Sequence, residues 1–286
     1  MHAYLIIAHH YFDLLKQLLA ALDDPRNDIY IHVDKKAASF SSEDLTRVCQ
    51  NSQVTFVNRY SILWGGYSMV QAEYALLSSA LQSGKNYTYY HLLSGVDIPL
   101  VNQNDMHDFF DAHQGKEFVS FAPAEMNPTE LARVQYYHFF PGRRNLFNRL
   151  LTKGESVLQH FLGVNRLRGR TVYRGGQWFS ITAEFAAYLL AHKKDVDKNF
   201  RHTLIPDEFF VQTLLAGSPF RKRLYYDHFD DNVLASMRLT DWKRGNPYTF
   251  TNADYDMIVD SGCLFARKFS PEVDPTIIER LYARLK

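Results

Sequence analysis

The stretch from Leu204 to Leu215, LIPDEFFVQTLL, places two adjacent carboxylates, Asp207 and Glu208, between a proline and an apolar helical pattern. A carboxylate in this position can act as a general base that takes the proton of a hydroxyl nucleophile. Pro206 fits the first position of a helix, so the acids would come second and third, where unpaired backbone N–H groups favour them for structural reasons alone. Ile205 cannot cap the helix through its side chain, so one acid can serve the backbone while the other reaches a substrate. Without further information these residues favour the structural role and leave the catalytic role open.

The adjacent pair is a poor match for a glycoside hydrolase. Hydrolases hold two carboxyl groups about 5 to 9.5 Å apart across the sugar, whereas neighbouring side chains on a helix diverge by about 100°. A hydrolase would therefore need Asp97 or Glu125 as the second carboxyl group, and nothing else in the sequence requires such a pairing.

Metal ligands are weakly indicated. Asp254 and Asp256 have the D-x-D spacing of a metal site, but they lead into an apolar helical run, where acids stabilise the first turn. His9 and His10 are expected to point to opposite faces of a strand, so they could not share one ion. We therefore expect no divalent metal and no other cofactor.

Short β-type runs alternate with amphipathic helical patterns from the start of the chain. AYLIIAHH, DIYIHVD and VTFVN read as strands, and the first helical pattern places five leucines on one face: Leu14, Leu15, Leu18, Leu19 and Leu22. Alternation of this kind predicts an α/β fold with a mostly parallel sheet and helices on both of its faces.

The predicted strands end in polar residues, which are His9 and His10, His32 and Asp34, and then Ser94 and Asp97. Open α/β sheets bind ligands at the carboxyl ends of their strands. Turn formation is the alternative role for any one of these residues. Because three strands in succession end in this way, the pattern favours a binding site.

Composition narrows the class of protein. The chain has 286 residues, 46% of them hydrophobic, and a formal net charge of +1, which describes a soluble globular domain rather than a disordered or nucleic-acid-coating protein. Cys49 and Cys263 have no C-x-x-C or histidine-rich partner, so neither a disulfide framework nor a zinc site is indicated. No signal-peptide pattern or membrane-length apolar segment is present, so we expect a cytoplasmic protein.

The middle of the chain is locally basic. Between residues 133 and 174 there is one acid, Glu155, against nine basic residues: Arg133, Arg143, Arg144, Arg149, Lys153, Arg166, Arg168, Arg170 and Arg174. Apolar residues threaded through this run give it the pattern of a basic amphipathic helix. The run of charges alone favours a helical excursion from the sheet that is surrounded by solvent. The alternative is a segment that contacts an anionic membrane or an acidic acceptor.

The stretch TVYRGGQWFSIT, which follows the basic run, reads as a strand or hairpin. Gly175 and Gly176 would let its backbone approach a neighbour or a ligand closely. Trp178 and Phe179 would form either an apolar wall beside a sugar or part of the core.

Taken together, seven stretches resemble glycosyltransferase family 14, which contains the core-2/I-branching β-1,6-N-acetylglucosaminyltransferases and the peptide O-xylosyltransferases. In family order they are IIAHH, YIHVDKK, WGGYSMVQAE, HLLSGVDIPL, GGQWFSIT, PDEFFVQTLL and LFARKF. They span nearly the whole chain. The resemblance implies a GT-A type fold with a Rossmann-like nucleotide-sugar domain, and an inverting reaction without a metal ion.

The resemblance also implies roles for single residues. Glu208 matches the catalytic base, and Lys268 matches the cation that meets the donor diphosphate, with Arg244 or Arg267 as a second cation. His9 and Asp34 match positions that contact the uridine, and Trp64 falls where an aromatic ring lies near the base. The residues expected to face the donor or acceptor sugar are Asp97, Gly176, Trp178, Asp207 and Arg133.

We therefore expect a single GT-A domain over residues 1–286, with a nucleotide-binding half (1–124), a basic helical excursion (125–174) and an acceptor and catalytic half (175–286). The expected activity is transfer of N-acetylglucosamine from its UDP donor to a glycan hydroxyl. The glycan could be lipid-linked, with the basic segment resting on the inner face of a membrane. Xylosyl transfer and a non-catalytic nucleotide-sugar or glycan-binding module are the alternatives.

Overall fold

The structure, a computed structural model, describes residues 1–37, 40–141 and 146–285, with the side chains of Asn148 and Arg149 excepted. Arg143 and Arg144 of the basic run lie outside the described residues. The strands are β1 (His2–Ala8), β2 (Asn27–Val33), β3 (Gln53–Phe56), β4 (Tyr89–Ser94), β5 (Ile98–Pro99), β6 (Ser180–Thr182), β7 (Arg238–Thr240) and β8 (Phe265–Arg267). The helices are α1 (Phe12–Leu22), α2 (Ser42–Thr46), α3 (Ser68–Leu81), α4 (Gln103–Ala112), α5 (Pro128–Gln135), α6 (Leu146–Phe161), α7 (Ala183–Ala191), α8 (Lys193–Phe200), α9 (Phe210–Ala216), α10 (Tyr255–Val259) and α11 (Pro275–Arg284).

The central sheet has the strand order β3-β2-β1-β4-β6. Its first four strands are parallel, and β6 is antiparallel to β4. The register pairs Ala8 with Val33 and Ile7 with Ser94, so β1, β2 and β4 end at the same edge of the sheet. The predicted α/β fold with a mostly parallel sheet is confirmed.

Helices cover both faces of this sheet. The predicted leucine face of α1 is confirmed, because all five of its leucines are buried. Four of them pack with Tyr4, Ile6 and Ala8 of β1, while Leu5 and Ile7 pack on the other face with helix α3. Alternate residues of a strand point to opposite faces, which is why one strand serves both cores.

A second, smaller sheet lies beside the first, in the order β5-β8-β7. Strand β5 follows β4 after three residues and pairs antiparallel with β8, so the end of β8 at Arg267 lies near the carboxyl edge of the central sheet. Arg238, which begins β7 and is buried, joins the two sheets by donating to the carbonyl oxygens of Leu92 at 3.4 Å and of Phe179 at 2.5 Å. Burial lowers the pKa of Arg238 to about 9.

The predicted strand or hairpin over residues 171–182 is wrong for most of its length, since β6 covers only Ser180–Thr182. The preceding residues form a loop that is held by other partners. The Tyr173 N–H donates to Thr213 Oγ1 at 3.0 Å, and the Gly176 N–H donates to Ser120 Oγ at 3.1 Å. At Gly175 a Cβ would lie 1.9 Å from the Ser120 carbonyl oxygen, so only glycine allows this approach.

Three buried histidines, His2, His91 and His107, meet near the amino end of β1. The His2 ring lies 4.1 Å from that of His107 and 4.8 Å from that of His91, measured between centroids. Among the described residues neither nitrogen of His2 has a hydrogen-bond partner. Burial, followed by the positive charges nearby, lowers the pKa of His2 to about 2, and burial also lowers those of His91 and His107.

We expect His2→Phe to gain stability over the wild type as the pH falls. The unfolded chain protonates His2 below its ordinary pKa near 6.5, whereas the folded chain does not, so wild-type stability is lost below pH 6.5 by about 1.4 kcal/mol per pH unit for this residue. Urea unfolding of both proteins between pH 7 and 5 measures the difference. His228→Phe, at an exposed site, is the matched control and should show no such trend. A constant difference between His2→Phe and wild type would contradict the expectation.

No helix in the described residues combines the length and the apolar character that crossing a bilayer requires. The division of the chain at residues 124 and 174 stays a prediction.

Candidate functional site

Two of the residues predicted to bind the nucleotide, His9 and Asp34, follow the carboxyl ends of β1 and β2. The Asp34 N–H donates to the Ala8 carbonyl oxygen at 2.9 Å, which fixes the end of β2 beside that of β1. The buried Asp34 carboxylate accepts the N–H groups of Lys36 at 2.9 Å and Ile62 at 3.3 Å. Ile62 belongs to the loop that carries Trp64, whose side chain is exposed, so this loop is tied to the edge where Asp34 and His9 lie.

His9 and His10 do not lie on opposite faces of a strand, and that prediction is wrong. Strand β1 ends at Ala8, and the two imidazole rings stack with centroids 3.9 Å apart and planes 25° apart. The chain turns here, because Tyr11 adopts left-handed backbone angles directly before helix α1. The alternation of side chains that the prediction assumed holds only inside the strand.

Glu208 ends a short 3-10 turn, Pro206–Glu208, and this confirms the predicted positions of proline and acids at a helix start. Ile205 before it adopts left-handed angles and makes no side-chain cap. Its N–H donates to the Gly65 carbonyl oxygen at 2.7 Å, so the loop carrying Trp64 also contacts the Glu208 turn. The side chain of Glu208 is 26% exposed and therefore accessible to a substrate.

Arg133, near the end of α5, holds this turn in place. Its guanidinium donates to the carbonyl oxygens of Leu204 at 3.1 Å and Ile205 at 3.3 Å, and to Glu208 Oε2 at 2.7 Å. Glu208 Oε1 accepts no hydrogen bond from the described residues. The predicted place of Arg133 was beside a sugar, and its pairing with Glu208 has no local sequence pattern, because the two residues are 75 positions apart.

Asp207 is buried, and its charge acts on a second buried acid, Glu73, which no sequence motif marks. Glu73 of α3 is fully buried; Gln177 Nε2 donates to its Oε1 at 2.7 Å, and its Oε2 has no partner among the described residues. Burial and the Glu208 charge raise the pKa of Asp207 to about 7, and burial and the Asp207 charge raise that of Glu73. Neither pKa shift has a sequence signal, although Glu73 and Gln177 both fall within the stretches that carry the family resemblance.

Arg267, Asp97 and Trp178 form a cluster next to the end of β4. Arg267 Nε donates to Asp97 Oδ1 at 3.1 Å, and the Arg267 guanidinium lies 4.4 Å from the centroid of the Trp178 ring. Asp97 also accepts the Ser94 N–H at 3.0 Å; it is almost fully buried, and burial raises its pKa. Phe179 is wholly buried, so of the aromatic pair only Trp178 can face a ligand.

Lys268 follows directly after Arg267 and is half-buried. No carboxylate in the part of the chain that the structure describes lies within 4.0 Å of its ammonium group, whereas Arg267 is paired with Asp97. The charge of Lys268 is therefore more available to an anionic ligand than the charge of Arg267.

Arg244 is held by two acids. It donates to Asp241 Oδ2 and to Asp254 Oδ1, each at 2.6 Å, and its guanidinium lies 4.1 Å from the Tyr248 ring centroid. Asp254 also forms a reciprocal cap with Thr251 at the start of a 3-10 turn, which confirms the helix-start interpretation of the D-x-D pair. Within residues 1–37, 40–141 and 146–285, no three His, Cys, Asp or Glu side chains are arranged to hold a metal ion.

The segment Gly175–Trp178 connects the two halves of this site. At one end the Gly175 N–H donates to the Glu208 carbonyl oxygen at 2.9 Å, and at the other the Trp178 ring lies against Arg267. Gly176 is fixed in between, because its carbonyl oxygen accepts from Gln212 Nε2 at 2.8 Å. Three residue steps span at most about 11 Å. The backbone contact to the Glu208 turn and the ring contact to Arg267, whose neighbour is Lys268, are thus made by residues only three positions apart in the chain.

A family model described as Core-2/I-branching enzyme matches residues 2–258 of the chain. Xylosyltransferase sqv-6 of Caenorhabditis briggsae is 26% identical over 294 residues, which cover 93% of this chain and 34% of the relative. The N-acetyllactosaminide β-1,6-N-acetylglucosaminyltransferase of Mus musculus is 25% identical over 312 residues, which cover 99% of this chain and 72% of the relative.

The chain thus spans about a third of the length of the xylosyltransferases that it matches. Among solved structures, mouse xyloside xylosyltransferase 1 in its apo form aligns over 92% of this chain and 96% of its own, with 12% identity and a TM-score of 0.35, a likeness too low to support a structural argument. The family match covers most of the chain, and this chain belongs to the Core-2/I-branching enzyme family.

Proposed function

We propose that this chain is an inverting glycosyltransferase that moves a sugar from a UDP-sugar to a hydroxyl group of a glycan, without a metal ion. The observation that supports this best is that the Gly175–Trp178 segment contacts the backbone of Glu208 at one end and Arg267, the neighbour of Lys268, at the other. Transfer with inversion needs a base on one side of the anomeric carbon and positive charge on the other. A GT-A type arrangement of the domain is part of the same proposal.

In the proposed reaction, the acceptor oxygen attacks the anomeric carbon while Glu208 takes its proton. The bond from that carbon to the diphosphate oxygen breaks, and UDP leaves with the electron pair. Arg133 holds Oε2 of Glu208 and leaves Oε1 for the acceptor hydroxyl. Lys268 stabilises the charge that develops on the diphosphate, assisted by Arg267, while His9, Asp34 and Trp64 hold the nucleotide.

We take N-acetylglucosamine as the donor sugar and xylose as the second candidate. The relatives named above include enzymes of both kinds, so they favour neither. The sugar would lie beside Trp178, near Asp97, Gly176 and Asp207. We infer a glycan acceptor, free or lipid-linked; a lipid-linked acceptor requires the chain to work at a membrane surface, on its cytoplasmic face.

Release of UDP from UDP-N-acetylglucosamine and from UDP-xylose tests this function, with a panel of glycan acceptors and with either EDTA or Mn²⁺ present. We expect turnover with one donor to continue at an equal rate in EDTA, because Lys268 supplies the charge that a metal ion would otherwise provide. Turnover only with Mn²⁺ would contradict the metal-independent mechanism. A rise in Tm with UDP but no turnover with any acceptor would favour the non-catalytic binding module.

A further inference from the structure

Helix α6 packs against the protein through its polar side. Thr152 Oγ1 donates to the Phe140 carbonyl oxygen at 3.0 Å, and Glu155 Oε1 accepts the Phe139 N–H at 3.4 Å. One turn later, the Gln159 side chain both accepts from the Tyr137 N–H and donates to the Tyr137 carbonyl oxygen, each at 2.8 Å. Residues three and four apart share one face of a helix, so these contacts define the inner face of α6.

The opposite side of α6 is apolar and exposed. We call it the outer face; its side chains are between 49% and 82% exposed, and they are Leu146, Leu150, Val157, Leu158 and Phe161. A surface helix ordinarily turns its apolar stripe towards the core and its polar side towards water. Helix α6 has the reverse orientation. Its polar side makes the hydrogen bonds to the rest of the protein, and the apolar side chains of the outer face are left largely exposed to solvent.

The charges around α6 identify the kind of partner. Lys153 on the helix and Arg168 and Arg170 after it are exposed, although Arg170 also donates to Asn199 Oδ1. The one acid between residues 133 and 174, Glu155, belongs to the inner face. The exposed residues of α6 and of the turn that follows it therefore include cations and no anion. Apolar side chains flanked by Lys and Arg fit the interface of an anionic bilayer.

A second copy of the chain fits this surface less well. If two outer faces packed together, the cations of both copies would meet at one interface, and like charges disfavour such a contact.

We propose that α6 lies in the plane of an anionic membrane, with its outer face among the acyl chains and with Lys153 and Arg168 at the lipid phosphates. The inner face keeps its contacts with residues 137–140, so the helix anchors the domain without unfolding from it. This anchoring does not depend on the donor sugar or on turnover.

Co-sedimentation of the full chain with vesicles tests the anchor. We expect binding to vesicles of phosphatidylcholine and phosphatidylglycerol in equal parts, and much weaker binding to phosphatidylcholine alone. The triple variant Leu150→Ser, Leu158→Ser and Phe161→Ser should lower partitioning by about a hundredfold or more, because three apolar side chains no longer enter the bilayer. The matched control, Leu234→Ser, Trp242→Ser and Val273→Ser, removes exposed apolar side chains elsewhere and should bind as the wild type does.

A second variant tests the charges separately. Lys153→Glu with Arg168→Glu keeps the outer face and should remove most of the preference for anionic vesicles. Circular dichroism and the Tm check that each variant is folded, and UDP release from a soluble acceptor should not change in the triple variant. Equal binding by wild type and triple variant would overturn the proposal. The proposal would also be overturned if neither protein bound vesicles and the wild type were a dimer that became monomeric in the triple variant. The outer face would then join two copies of the chain.

Discussion

Glu208→Gln is expected to lower kcat by about 10²- to 10⁴-fold, the range that a general base contributes. Glutamine keeps the size of the side chain and can still accept a hydrogen bond from Arg133, but it cannot take the acceptor proton. The turn is held mainly by backbone contacts to Gly65 and by Arg133, so the fold should be kept. Steady-state transfer assays, with UDP binding followed by thermal shift, measure both effects.

Glu125→Gln is the matched control, because Glu125 is exposed and lies outside the site. It should leave kcat unchanged. A Glu208→Gln protein with full activity would show that the carboxylate serves only the helix start, which is the role that the sequence favours when no family resemblance is considered.

Lys268→Met is expected to lower kcat/KM by about 10²- to 10³-fold, since it removes a fixed charge aimed at the leaving group. Methionine retains much of the apolar stem of lysine, so the half-buried position stays filled. UDP affinity should fall as well, because the product carries the same diphosphate. Isothermal titration with UDP and a transfer assay separate the loss in binding from the loss in rate.

Lys243→Met, at an exposed position, is the control for this change and should behave as the wild type. Arg267→Met tests the contribution of the neighbouring cation less directly. It also leaves Asp97 buried without its cation, so lost stability would accompany lost activity. Unchanged kcat/KM and UDP affinity in Lys268→Met would remove that residue from the mechanism.

The parts of the fold that follow local rules could be predicted from the sequence. The leucine spacing predicts the buried face of α1, and strand and helix alternation predicts the parallel sheet. The convergence of His9 and Asp34 follows from the rule that parallel strands end at one edge. The helix-start role of Asp254 follows from capping preferences alone, and the structure confirms it.

The parts that depend on contacts between distant residues could not be predicted in this way. Arg133 and Glu208 meet only because α5 and the Pro206 turn are packed together, and periodicity carries no information about which elements pack. The buried acid Glu73 lies within an ordinary amphipathic helical pattern, so its isolation from water was not evident. The reversed orientation of α6 is a further case, because a helical pattern shows two different faces without telling which one meets the protein.

The small sheet makes this site dependent on residues that lie beyond the end of the family match. A chain cut after residue 258 keeps everything that the match covers but has neither β8 nor Lys268. It lacks the strand between β5 and β7, and the buried Asp97 has no guanidinium partner. Truncated products should consequently be unstable and open to proteolysis, rather than persist as inactive competitors for the nucleotide.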